Sequence, residues 1–541
     1  MNLEGGSPRE SRVPPGENRP WASRRRTASR LAWLALLAIV VLGAVAAVAG
    51  TAAARPGGGS TYSGGGGHSS GGGTSSGGGF SSSGGGGGGS GDDAAVVFEL
   101  IYWVCYLIYS YPVIGLPLVG GVVAWLAYNA YQKNRNKDWD SGPPLVLEQV
   151  EPPPDLGQLD PAYSQVVFED FAYRLFSTAH RARHTAESLA SVAPYVSEAA
   201  RKALAAREPI GEPVLQVIVG AMRAYRFDVP PAAVDAEGRT CRVRIGLEYE
   251  ANIATASHTY YTVENWMFGR SAAAHSKPPG VARTFPCPNC GAPWQASQTG
   301  TQVCASCGQA VDNGRFDWVV EQIALISSDE RPPTLTTEVP ERGTDLATYR
   351  QDNVHAAWAQ LMADDPQLTD ASLRARLAMI YDQLNAAWSN NELAPVRGLV
   401  TDGLFDYLEY WVDAHKRQGM RNVLADMRIE RTELAKLTHD RYFDAITIRL
   451  WASGKDYVIR EPSGDRVRGS ATRERAYSEY WTLIRSAGRK GPALATTACG
   501  NCGAPLKVAQ AGECEHCGAH VTGGEFDWVL SKIEQDDSYR G

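Results

Sequence analysis

The 541-residue sequence predicts an α+β fold made of two consecutive domains after an N-terminal membrane region. Each domain is expected to pack helices on one face of an antiparallel sheet and to carry a four-cysteine module inserted between two strands. Three observations lead there. A cysteine-and-aromatic pattern occurs twice. In each half, helical periodicity gives way to strand alternation. The residues before position 140 alternate apolar runs with a tract that cannot bury a core.

The N-terminal region comes first. Arg24, Arg25, Arg26 and Arg30 precede an uncharged apolar run at 31–49, and Ala52, Ala53 and Ala54 form a small-residue cleavage pattern. Two readings of 1–54 stand: a cleaved signal peptide, or a retained first membrane anchor. Residues 57–91 hold 20 glycines in 35 positions, most of the rest serine, so 55–93 is a Gly/Ser-rich disordered tether. Residues 94–132 form a transmembrane or interfacial segment. One helix over 94–131 would be about 57 Å long, nearly twice a bilayer core. Pro112, Gly115 and Pro117 divide it. Glu99 and the aromatics Tyr102, Trp103, Tyr106, Tyr109 and Tyr111 suit the lipid–water interface, which leaves 113–131 as the preferred span and a hairpin of two short spans as its competitor. Lys133, Arg135 and Lys137 then place all that follows in the cytoplasm by the positive-inside rule.

After a Pro-rich linker at 133–158, the first domain is expected at 159–330, a second linker at 331–363, and the second domain at 364–537. Asp160-Pro161 and Asp365-Pro366 each open a helix, with Asp as N-cap and Pro in the first turn. Leu373, Leu377, Ile380, Leu384 and Trp388 recur at helical spacing, and a further helix from Thr401 to about Gly419 turns Leu404, Phe405, Leu408 and Val412 inward. Cys241, Val243, Ile245, Leu247 and Tyr249 alternate with charged residues, as a half-buried strand does, and Ile446, Ile448 and Leu450 repeat the pattern. Pro462–Asp465 is a turn into another strand. A linker helix is expected near 346–362. Glu264 and Trp266, like Glu479 and Trp481, lie two apart and so share a strand face.

The cysteines carry the clearest chemistry. Cys287, Cys290, Cys304 and Cys307 form one set of two C-x-x-C-G knuckles, and Cys499, Cys502, Cys514 and Cys517 form the other. Spacers of 13 and 11 residues separate the knuckles, and Phe-Asp-Trp follows the last cysteine at the same distance in both, in what reads as a strand. Four thiolates at this spacing suit tetrahedral Zn2+, two ions per chain, in zinc ribbons at 287–307 and 499–517. Rubredoxin-like iron and redox-switched disulfides are the alternatives. Cys105 and Cys241 lie outside the sets and read as inert. Thiolate knuckles fit a reducing compartment, in agreement with the cytoplasmic assignment.

The stretches DPQLT, LNAAWSNNEL, DAITIRLWASGKDY and EYWTLIR in the second half resemble the Tim44-like family, whose domain is similar to the nuclear-transport-factor-2-like (NTF2-like) cone. Bacterial membrane-anchored members share the order of signal or anchor, Gly/Ser tether, span, and domain with a ribbon before FDWVL. The resemblance implies two cone domains, each a curved sheet enclosing an apolar cavity used for binding. The implied partners are membrane lipid, a protein client or an apolar small ligand. The first half departs from the pattern, with Arg183 where Trp388 stands and ENWMFGR for EYWTLIR.

Candidate pocket residues are Trp388, Glu479, Trp481, Glu264 and Trp266, with no catalytic set among them. Each glutamate reads either as a ligand anchor or as the partner of an arginine, such as Arg485 on the same strand face. His180 and His184 are four apart on a helix, but Arg181 and Arg183 between them favour a solvated face. A net charge of −7 and ribbons with a single lysine give no reason to expect nucleic acid. The function expected is therefore a binding or scaffold protein at the cytoplasmic (inner) membrane, not an enzyme. The alternatives are an isomerase or dehydratase with a pocket Glu as base, by fold analogy alone, and a ribosome-facing zinc-ribbon protein.

A topology reporter tests the membrane reading. Joined by a flexible linker after Gly541 it should behave as cytoplasmic, and placed near Ser83 as external. A reporter after Gly541 found outside would establish the hairpin instead.

Overall fold

A computed structural model describes residues 156–279, 285–295, 302–330 and 343–491, most of 498–541, and scattered positions between 110 and 128. The expectations for 1–93, for most of 94–132 and for 133–153 fall outside the described residues. Among the described residues, no helix is long and apolar enough to cross a membrane.

In the first half, Ser164 caps helix α1 (Gln165–Ala182) by accepting the Val167 N–H. Phe168, Phe171, Ala172, Leu175, Phe176 and Ala179 recur every three or four residues and form its buried stripe. Two shorter helices follow, α2 (Ala186–Leu189) and α3 (Glu198–Ala205). Four antiparallel strands come next: β1 (Gln216–Asp228), β2 (Arg242–Ala254), β3 (Thr259–Ser271) and β4 (Val319–Glu330), paired in chain order. Val243, Ile245, Leu247, Tyr249 and Ala251 of β2 meet the α1 stripe in one apolar core.

The second half repeats that order on a larger scale. Helices α4 (Val354–Asp364), α5 (Asp370–Ser389) and α6 (Asp402–Arg417) precede strands β5 (Met420–His439), β6 (Phe443–Arg460), β7 (Arg466–Gly469), β8 (Arg475–Ser486) and β9 (Val529–Gln535). The sheet order is β5-β6-β8-β9, with the short β7 on β6. Leu373, Leu377, Ile380, Leu384 and Trp388 of α5 all enter the core, as their spacing predicts. Both cysteine modules sit where expected, between antiparallel neighbours: β3 and β4 in one half, β8 and β9 in the other. A short parallel bridge ties the helix layer to the last strand at Val196–Val320 and again at Val400–Leu530.

Three local expectations need correction. Asp160 and Asp365 are not helix caps; Ser164 and Thr369 are, the latter in a capping box with Ser372. The two aspartates instead sit buried before the helices and bind arginines. Asp160 Oδ2 pairs with Arg270 Nη2 at 2.7 Å, and Asp365 Oδ2 with Arg485 Nη1 at 2.8 Å. Phe-Asp-Trp lies before the last strand rather than in it, so Trp318 and Trp528 turn under those arginines at 4.5 Å and 4.6 Å. The expected linker helix over 346–362 begins only at Val354, and Val354, Trp358 and Leu361 belong to the second core.

The segment ahead of α4 has another task. Strand β6 is buried on both faces over most of its length. On the face away from the helices, Arg449 is fully buried and donates to the carbonyls of Gly343, Thr344 and Leu346. It also pairs with Asp536 at 2.9 Å and stacks against Trp451. Helix α1 covers a neighbouring part of that face: Val166 packs on Ala445, Ile484 and Val529, and Glu169 pairs with Lys532 at 2.6 Å. The two halves thus share an interface, which Tyr173 extends by donating to the Gly403 carbonyl.

The two Asp–Arg pairs respond to acid. Burial alone would raise Asp160, but Ser276 and Arg270 outweigh it and hold the carboxyl below its ordinary range. Asp365 is depressed likewise, by Arg485 and the Gly491 N–H. A depressed folded-state value stabilises the fold above the unfolded value of about 3.9, and that stability disappears as pH falls through the lower folded-state values. Asp160→Ala strands a buried guanidinium and should cost about 3–5 kcal/mol in urea unfolding. Asp365→Ala should cost less, because Arg485 also reaches Asp444 at 3.3 Å. Equal losses would mean that the second carboxylate contributes nothing.

Candidate metal centres and buried polar interiors

Each cysteine set converges. In both, the four sulfurs lie within 4.8 Å of one another. Cys287 to Cys307 is 3.8 Å and Cys290 to Cys304 is 3.9 Å; Cys499 to Cys517 is 3.8 Å and Cys502 to Cys514 is 4.0 Å. A disulfide would need about 2.05 Å. Sulfurs about 2.3 Å from a central zinc lie about 3.8 Å apart at the corners of a tetrahedron. The donor set and its spacing therefore fit a four-thiolate metal centre of the zinc type.

The backbone explains the convergence. Gly291, Gly308, Gly503 and Gly518 adopt φ between 67° and 73°, the left-handed region in which a side chain is strained. Each turns its N–H back to the carbonyl of the first cysteine in its knuckle, at 2.8–2.9 Å. Asn289 and Asn501 donate to Cys307 and Cys517. Those bonds, with the backbone N–H groups of Gln309 and Ala519, hold both thiols down at about 6. Cys241 stands apart, half-buried and free.

The candidate pocket residues are all buried. The Trp266 indole donates to Glu264 Oε2 and the Trp481 indole to Glu479 Oε2, both at 2.9 Å. The shared strand face was legible, but the partners differ from those expected. Arg485 turns to Asp365 and Asp444, while Glu479 Oε1 accepts from Gln535, its cross-strand neighbour on β9. Glu264 Oε1 lies 3.5 Å from His180 and 3.9 Å from Arg207. Burial alone would raise Glu264, but His180, Trp266 and Arg207 together hold its carboxyl below the ordinary range. His180 therefore does not lie on a solvated face: it is one turn from Phe176 on the buried stripe and is 1% exposed. His184 stays half-buried, bonded to the Arg181 carbonyl, so the two histidines do not converge.

Trp388 donates to Asn422 Oδ1 at 2.7 Å, and Asn422 in turn to Asp456. The Trp388 ring meets that of His415, on α6, edge-on at 5.9 Å. Sequence reasoning did not single out His415, although it lies with Trp411 on the inward face of α6. The available signal was their i, i+4 spacing in step with Leu404 and Leu408.

Residues 354–495 match the family model for the Tim44-like domain. The match begins at the first residue of α4 and ends just before the second cysteine set. No curated protein matches the chain.

Metal analysis checks the cysteine centres. The purified chain should hold two zinc ions, and Cys514→Ser should lose one while the first set keeps its own. Loss of both ions would show that the centres are coupled, and a red, iron-loaded protein would change the metal.

Proposed function

We propose that this chain is a membrane-anchored, cytoplasm-facing binding and scaffold protein of the Tim44-like type. Its halves are a duplicated pair of cone-like domains, each stiffened by a zinc ribbon, and the second holds an amphipathic ligand, a lipid or a client segment. The family match over 354–495 supports the class.

One observation carries the binding reading. The interior of the second half is aromatic, with Tyr381, Trp388, Trp411 and Trp481 all nearly inaccessible. Within it, Trp411 Nε1, both His415 ring nitrogens and Asn385 Nδ2 have no hydrogen-bond partner among the described residues. Buried polar groups are almost always satisfied, so unmatched ones mark a place for another molecule's polar atoms. Burial pushes His415 down to about 4, leaving it neutral near pH 7 and able both to donate and to accept. A ligand with an apolar body and one polar end suits such an interior.

The enzymatic alternative has weaker support. Both oxygens of Glu479 are already engaged, by Trp481 and by Gln535, which suits a structural role better than proton abstraction.

His415→Phe separates binding from folding. It keeps an aromatic ring and removes two unsatisfied nitrogens, so the melting temperature should hold or rise. Retention of a fluorescent phospholipid analogue by the full chain in detergent should fall about tenfold, equivalent to about 1.4 kcal/mol. Unchanged retention, or no retention by the parent chain, would leave a scaffold without this pocket.

A further inference from the structure

The first half differs from the second at several places in its interior, and two of the changes introduce an arginine. Arg183, at the end of α1, occupies the position of Trp388. Arg207 stands as far beyond the Ser197 cap of α3 as Trp411 stands beyond Thr401. His180 replaces Asn385 in the same comparison, while Glu264 and Trp266 keep the positions of Glu479 and Trp481.

These residues form one cluster. Trp266 fixes Glu264 Oε2 and turns Oε1 toward His180 and Arg207. Arg183 is 5% exposed, and its side chain donates from Nη2 to the Glu208 carbonyl at 2.8 Å. Its Nε and Nη1, the Nε and Nη2 of Arg207, and both His180 nitrogens have no hydrogen-bond partner among the described residues. Burial lowers the Arg183 guanidinium against the pull of Glu264 and Glu208, and the Arg207 charge close by adds to the lowering.

Among the inward-facing groups the charges do not balance: two guanidiniums share one buried carboxylate, Glu264, while Glu208, whose charge also pulls on Arg183, is an exposed residue. A buried cation without a counter-ion is costly, and planar donor forks match the paired oxygens of carboxylate and phosphate; of the two, the carboxylate carries the single charge that the deficit calls for. The Arg207 side chain is 17% exposed, so the cluster reaches solvent at that residue.

We infer that the first half contains an internal anion site, formed by Arg183, Arg207 and His180 beside Glu264, that takes one singly charged carboxylate. The site does not depend on the ligand proposed for the second half. The carboxylate lies across the two guanidiniums, and its charge completes the neutralisation that Glu264 begins. The two halves then differ in kind: one interior presents indoles, the other a charged clamp.

The test is saturation-transfer NMR of the full chain in detergent with sodium acetate and sodium butyrate, at fixed ionic strength set with chloride. Saturable binding is expected, and Arg183→Met or Arg207→Met should each weaken it at least tenfold. In carboxylate-free buffer both variants should melt at or above the parent temperature, because an unpaired buried charge has been removed. Arg183→Lys should restore part of the binding.

Three results would overturn the inference. One is the absence of saturable binding of either carboxylate to the parent chain. Another is equal binding by the Met variants, with or without lost stability, which would make the cluster structural. The third is displacement by inorganic phosphate at lower concentration than by acetate, which would contradict the single-charge argument.

Discussion

A buried arginine held between an aspartate and a tryptophan occurs once in each half, and the rest of each half is arranged around it. Arg270 binds Asp160 and stacks on Trp318; Arg485 binds Asp365 and stacks on Trp528. The aspartate stands at the entrance to the helix layer, the arginine near the end of a central strand, and the tryptophan where the chain leaves the cysteine module. One contact therefore joins helices, sheet and module. Desolvating two charges is repaid only when geometry and further hydrogen bonds are good, and the Ser276 and Gly491 N–H groups supply the latter. A cysteine module closed by a metal would fix the position of the tryptophan and hence the third member of the contact.

What the sequence revealed, and what it hid, follows from separation along the chain. The α5 stripe and the cysteine knuckles are local patterns, and both appear as read. The Asp160–Arg270 pair spans 110 residues, so nothing in either neighbourhood announced it, and the aspartate was assigned the nearer role of a cap. The Glu479 partner was missed because it depends on the register of β8 against β9, which places Gln535 opposite. His180 is a different kind of miss. Its arginine neighbours suggested solvent, yet four residues from Phe176 it continues the buried stripe, and Arg183 follows it inward. Helical position outweighed side-chain type at both residues.

The two halves share an order of elements but not an interior. Where the second half buries Trp388 and Trp411, the first has Arg183, buried, and Arg207, partly exposed, while the Glu–Trp pair behind them is the same in both. Replacing two indoles by two guanidiniums alters the solvation requirement of the space. Each half also lends a helix to the interface. Helix α1 serves its own core with one face and reaches the outer face of the other sheet through Val166 and Glu169, while helix α6 packs against β1, whose Ile218 joins the second core.

The strap over β6 brings the entry and exit of the second half together. The Tyr349 N–H bonds to the Tyr480 hydroxyl, Tyr539 stacks on Tyr480 at 3.9 Å, and the Tyr349 and Tyr539 rings meet at 6.1 Å. A unit whose two ends meet is entered and left by the chain at one place. Such a unit can be spliced into another chain, or joined end to end and reopened at a surface loop, without pulling its sheet apart. Tandem copying of a domain is least disruptive when entry and exit lie side by side, and this geometry is compatible with the doubling written into the cysteine pattern.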